Sequence, residues 1–172
     1  MIEVLVALVI LAIGLLGIAG LQTAAVQTNY LAYQYTMAAR LAENLAENMR
    51  ANRVGMLDNA YALAFGDIPA DPNVDCGAAD ANCAPGELAA WQLADWYAML
   101  ATPEEGYENA AASLENALPA AQASVACAAP CDARTLRVIT VYWDADRSGA
   151  TGGDCNASDP KDLKCVRLGV TP

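Results

Sequence analysis

Three groups of residues are of types that could do chemistry. The first is six cysteines, Cys76, Cys83, Cys127, Cys131, Cys155 and Cys165. An even count in closely spaced pairs reads as disulfides in an oxidising compartment. Six cysteines allow 15 connectivities. The expectation taken here is nearest-neighbour pairing, 76 with 83, 127 with 131 and 155 with 165. Each bridge closes a short loop, worth about 2 kcal/mol by loop-closure entropy. A four-thiolate zinc site fits poorly, because the intervening spacings are 6, 3 and 9 residues rather than paired C-x-x-C.

The second group is Asp144, Asp146 and Ser148, alternating ahead of Gly149, with Asp154 as a further oxygen donor. That is the first half of a calcium loop. Cys155 stands where a bidentate Glu is needed, and the preceding stretch reads as a strand rather than a helix. An acid-and-glycine turn is the plainer reading. Calcium is the one cofactor the residues admit, and otherwise none is expected. The third group is a single carboxylate, Glu3, at the threshold of an apolar run.

Catalysis has little to work with. There is no histidine, hence no Ser-His or Cys-His pair. Glu104 and Glu105 read as solvated charges, and no glycine-rich phosphate loop follows a strand. No catalytic residue is assigned and an enzyme is not expected. The net charge of −11, from 9 basic and 20 acidic residues, opposes nucleic-acid binding, which needs clustered Lys and Arg.

The elements that position these residues follow from patterning. Residues 4–21 carry no charge. As a helix they span about 27 Å at 1.5 Å per residue, close to a hydrocarbon core of about 30 Å. No proline occurs before Pro69 and no charge between residues 4 and 39, so one helix is expected over residues 2–53. Its second half carries Leu31, Tyr35, Ala38, Leu41, Leu45 and Met49 at steps of three or four, an apolar stripe. Gln34, Arg40, Glu43, Glu47 and Arg50 are assigned to the opposite, solvated face. Gly14, Gly17 and Gly20 admit either close helix contact or local loosening.

Residues 55–86 are rich in Gly, Pro, Asp and Asn and read as a connection with one short helix near 57–63. Helices are expected over 87–100 and 108–118, each stopped by a proline. Strands are expected at Gln122–Cys127, Arg137–Trp143 and 165–170. The fold class is therefore α+β: a long N-terminal helix, membrane-spanning in its first half, packed on a small antiparallel sheet of three or four strands. The expected division is an apolar half-helix over 1–21, its amphipathic continuation over 22–54 and a globular head over 55–172.

IEVLVALVILAIGLLGIAGLQ closely resembles the N-terminal segment of type IV pilins and pseudopilins. In that family a leader ends in Gly, and Phe, Ser or Thr, and Leu or Met precede Ile-Glu. Met1-Ile2-Glu3 corresponds to the end of that motif, so the resemblance implies a leader ahead of it. Major pilins often carry a proline just after the apolar stretch, and this chain has none. The stretch VITVYWDADR resembles PilV-type minor pilins, in which a Val-x-Val-aromatic-Trp-Asp segment is followed by Arg. Val141, Tyr142, Trp143, Asp144 and Arg147 match it.

The resemblance implies a pilin fold and a structural role without catalysis. Glu3 would pair with the freed N-terminal amine of a neighbouring subunit as helices bundle. A buried charge without a partner costs several kcal/mol. A carboxylate in a first helical turn gains roughly 0.3–1 kcal/mol from the macrodipole. Glu3 would thus set how far one apolar rod slides along another. The implied protein is a low-copy minor pilin of the complex that primes a type IV pilus. Its partners would be other minor pilins, the major pilin and a large tip adhesin. Before assembly it would lie in the bacterial inner membrane with a periplasmic head, and afterwards at the pilus tip. The alternatives are a pseudopilin of a type II secretion or DNA-uptake system, and a calcium-dependent binding module on a membrane anchor.

Overall fold

A computed structural model describes residues 2–78, 81–100, 118–156 and 158–172. The helix expected over 108–118 lies, apart from Leu118, outside the described residues, as do Glu104 and Glu105. The order of elements is α1 (Ile2–Ala51), α2 (Arg53–Leu57), α3 (Pro85–Leu100), β1 (Gln122–Cys127), β2 (Arg137–Trp143) and β3 (Lys164–Val170). This is an α+β chain. Two compact units divide it, Met1–Tyr33 and Gln34–Pro172.

In the first unit α1 is uninterrupted. Gly14, Gly17 and Gly20 are helical, and a Cβ at any of them would meet nothing within 4 Å. Local loosening of the helix at these glycines is therefore not observed. Every described residue before Gln34 is exposed, with Ile10 at 66% and Leu21 at 73%. The helix is long and apolar enough to cross a membrane.

In the second unit the same helix becomes one-sided. Its buried residues are Gln34, Ala38, Leu41, Ala42, Leu45, Ala46 and Met49. Arg40, Glu43, Glu47 and Arg50 are exposed as expected, and Arg50 pairs with Glu47 at 2.6 Å. The buried face is rotated from the expected one. Leu31 and Tyr35 remain 42% and 44% exposed, while three alanines occupy the seam. Small side chains next to Leu41, Leu45 and Met49 let larger groups from elsewhere fill the contact. Trp96 of α3 does so, and its indole Nε1 donates to the Leu41 carbonyl at 2.8 Å.

Asn52 ends α1 and starts α2. Its φ of −109° and ψ of 65° leave the helical region, and its Oδ1 accepts from the Gly55 N–H. That side-chain acceptor is what a helix N-terminus needs. The short helix therefore falls at Arg53–Leu57 rather than at the expected 57–63. Asn52 Nδ2 also donates to the Pro85 carbonyl at 2.7 Å. A Cβ at Gly55 would lie 2.7 Å from that same oxygen, so the approach of α3 requires glycine there. Helix α3 begins two residues before the expected 87. Pro85 suits the first helical position, and Glu87 Oε2 accepts from the Ala84 N–H at 2.8 Å.

The sheet is antiparallel with order β1-β2-β3. Arg137, Ile139, Val141 and Trp143 alternate along one face of β2. Ile139, Val141 and Trp143 join the α1 and α3 side chains in the core. On the opposite face Tyr142 packs edge-on to Phe65, with centroids 4.7 Å apart. Its hydroxyl shares a hydrogen bond with Ser124 Oγ at 3.1 Å. Both faces of β2 are covered, which is why its sequence is apolar on both. Leu63 bridges Val125 of β1 through both backbone groups, a one-residue fourth position on the sheet. No described residue pairs with the outer edge of β3.

Three disulfides join sequence neighbours: Cys76–Cys83, Cys127–Cys131 and Cys155–Cys165, with Cα separations of 6.0, 5.4 and 5.6 Å.

Truncating the buried seam should be costly. Leu45→Ala is expected to lower stability by about 2–5 kcal/mol, read from urea unfolding of the detergent-solubilised chain by tryptophan fluorescence. Val54→Ala, at a residue 55% exposed, should shift the midpoint little.

Candidate functional site

The sequence-derived candidates separate into two places. Glu3 lies in the first turn of α1, in the unit whose described residues are all exposed. Its carboxylate stands where the first helical N–H groups lack intrahelical acceptors. The residues after it, up to Ala39, are uncharged, so no other charge on this stretch competes for a cationic partner.

Val141, Tyr142, Trp143, Asp144 and Arg147 gather at the end of β2. There Trp143 docks the strand on the helix. Trp143 is fully buried. Its ring meets the edge of Tyr35 at 4.9 Å with an interplanar angle of 83°. Its Nε1 donates to Gln34 Oε1 at 3.2 Å. Gln34 Nε2 in turn donates to the Ala145 carbonyl at 3.4 Å. One buried amide thus satisfies an indole and a backbone carbonyl on two sides.

Gln34 corrects the sequence reading, which placed it on the solvated face. It is 0% exposed. The signal was present in the spacing, because 34, 38, 41, 45 and 49 step by three or four as regularly as the expected stripe. Residue polarity masked it, since a buried glutamine is recognisable only when its partners are known.

Asp144 begins a turn that leads away from β2. Its N–H donates to the Pro119 carbonyl at 2.9 Å, tying the turn to the entry of β1. Its Oδ1 accepts from the Ser148 N–H at 3.0 Å and the Ser148 hydroxyl at 3.1 Å. Its Oδ2 accepts from the Gly149 N–H at 2.7 Å. Gly149 takes a φ of 79°, which glycine adopts without strain. Burial alone would raise the Asp144 carboxyl. The N–H of Gly149 and the N–H and hydroxyl of Ser148 outweigh it and hold the carboxyl below its ordinary range.

This arrangement bears on the calcium reading. Asp144 spends its oxygens on closing the turn, and Ser148 donates its hydroxyl inward rather than offering it outward. Asp146 and Asp154 are exposed, and the Asp154 carbonyl accepts from Arg167 at 3.4 Å. Among the described residues no group of three or more His, Cys, Asp or Glu could hold a metal ion. Arg147 is exposed, and its backbone N–H donates to the Asp144 carbonyl at 3.2 Å.

Arg137, at the other end of β2, is 1% exposed. Its Nη1 donates to the carbonyls of Asp132 at 2.8 Å and Thr135 at 2.7 Å. It pins the turn that the Cys127–Cys131 bridge enters. All six cysteines are in disulfides, so none offers a thiolate.

No family model matches the chain, and neither a curated protein nor a solved structure matches it.

Two outcomes follow from this geometry. Gln34→Ala and Trp143→Phe should each destabilise the head, and the double variant should lose about 1 kcal/mol less than their sum. Purely additive losses in a denaturation cycle would show that the contact carries no energy. The depressed Asp144 carboxyl contributes stability above the ordinary carboxylate range and loses it as pH falls through its folded value. Stability should therefore decline as pH drops below about 4, and Asp144→Asn should flatten that decline.

Proposed function

We propose that the protein is a structural minor pilin that helps prime assembly of a type IV pilus. The observation that carries the reading is Glu3 in the first turn of a helix whose next thirty residues are exposed. Branched aliphatic side chains 53–74% exposed over residues 2–21 form an apolar surface that water does not tolerate. A bilayer covers such a surface before assembly, and the helices of other subunits cover it afterwards. A carboxylate at its mouth is costly in either setting without a cation. The free amine of a neighbouring subunit is a cation of the right size at the right end. The macrodipole adds to the preference for an anion there.

The head fits a subunit that works outside the cytoplasm. Its three disulfides belong to an oxidising compartment. The tip-complex placement, with other minor pilins, the major pilin and a large tip adhesin as partners, rests on the resemblance of Val141 to Arg147 to PilV-type minor pilins. A pseudopilin of a secretion or DNA-uptake machine shares the helix and differs in partners. The calcium-dependent module has less support, because Asp144 already closes its own turn.

Surface pili are counted in cells lacking the gene, restored with wild-type or Glu3→Ala protein at matched levels. Pili should vanish without the gene, return with the wild type and fail to return with Glu3→Ala, while that variant still inserts in the membrane. Normal piliation throughout would leave a secretion pseudopilin or a membrane-anchored binding module.

A further inference from the structure

The loop between the Asp144 turn and β3 carries a short acceptor pattern. The chain has ten asparagines, and Asn156 alone is followed two residues later by Ser or Thr, in Asn156-Ala157-Ser158. Asn-X-Ser without proline at X is the acceptor sequence for N-linked glycosylation. Asp154 stands two residues before the asparagine.

The tertiary structure adds four observations. Asn156 and Ser158 are both exposed. The Ser158 N–H donates to Asn156 Oδ1 at 3.0 Å. The side-chain carbonyl is thus folded into the turn, while Nδ2 has no hydrogen-bond partner among the described residues. The backbone beneath is fixed. Asn156 N–H donates to Asp162 Oδ2 at 2.9 Å, and Asp159 N–H donates to the Asn156 carbonyl at 3.0 Å. Finally, the adjacent Cys155 is bonded to Cys165 of β3. That places the loop in an oxidising compartment, where N-glycan acceptors of secreted proteins are found.

We propose that Asn156 accepts an N-linked oligosaccharide from a polyprenyl diphosphate donor, transferred by a membrane oligosaccharyltransferase. A bond forms between Asn156 Nδ2 and C1 of the first sugar. The bond from C1 to the diphosphate oxygen breaks, its electron pair leaves with the polyprenyl diphosphate, and Nδ2 gives a proton to a base of the transferase. No oxidant or reductant is consumed. The glycan stands one residue from the bridge to β3. The proposal rests on the export of the head inferred above.

The full chain is isolated from the envelope of its own cells, its free thiols are alkylated, and its intact mass and peptides are read. The wild type should exceed the polypeptide mass by one oligosaccharide, located on Asn156. Ser158→Thr should keep the addition, and Ser158→Ala and Asn156→Gln should lose it. A wild type at polypeptide mass with three intact disulfides would overturn the acceptor role and leave export standing. Polypeptide mass with six alkylated thiols would overturn both. An addition that survives Asn156→Gln would place the modification elsewhere and overturn the proposal.

Discussion

From Ile2 to Tyr33 every described residue of α1 is exposed, and from Gln34 the same helix is packed on one side. One continuous backbone therefore serves two environments. A helix is the only regular element that can do so without a seam, because its backbone hydrogen bonds are all internal. Residues 4–21 of the first stretch are apolar on every side. The second needs a narrow stripe with charges opposite. Continuity is why no proline and no capping residue interrupts the run before Asn52, where the chain must turn toward α3.

The head makes a small core hold with few aromatic residues. Aromatics are 6% of the chain, so each large ring is used with care. Trp96 and Trp143 are both fully buried, and each indole N–H has an acceptor on α1, the Leu41 carbonyl and Gln34 Oε1. Burial of an indole without such a partner would surrender much of the gain from its area. Alanines at 38, 42 and 46 make room on the helix for these rings. Disulfides supplement the core by restricting loops that bury little apolar surface.

The end of β2 shows how one short stretch serves several needs. Trp143 faces the helix, Tyr142 faces Phe65, and Asp144 closes the turn and ties it to Pro119. A Cβ at Gly153 would fall 2.8 Å from the Phe65 ring, so the loop ahead of β3 closes over that aromatic pair. Residues that match a family pattern at this point are thus explained by packing and turn closure. The Arg147 side chain is exposed and is not hydrogen-bonded among the described residues.

The long apolar helix, the α+β class, the three strands and the neighbour pairing of the cysteines were legible in the sequence, because each rests on local periodicity or short spacing. The limits of α1 and α2 were less so. The break at Asn52 depends on the Pro85 carbonyl, 33 residues away along the chain. Gln34 was misread for the same reason. Its partners, Trp143 and Ala145, are brought to it only by the sheet, and without them a glutamine on a helix reads as solvent-facing. Asp144 and Ser148 fitted the first half of a calcium loop as well as the turn that was the plainer reading, because composition cannot show that the Asp144 carboxylate already accepts the Ser148 N–H and hydroxyl and the Gly149 N–H. Types and periods are properties of the chain, but whether a polar group is satisfied depends on what the fold places beside it.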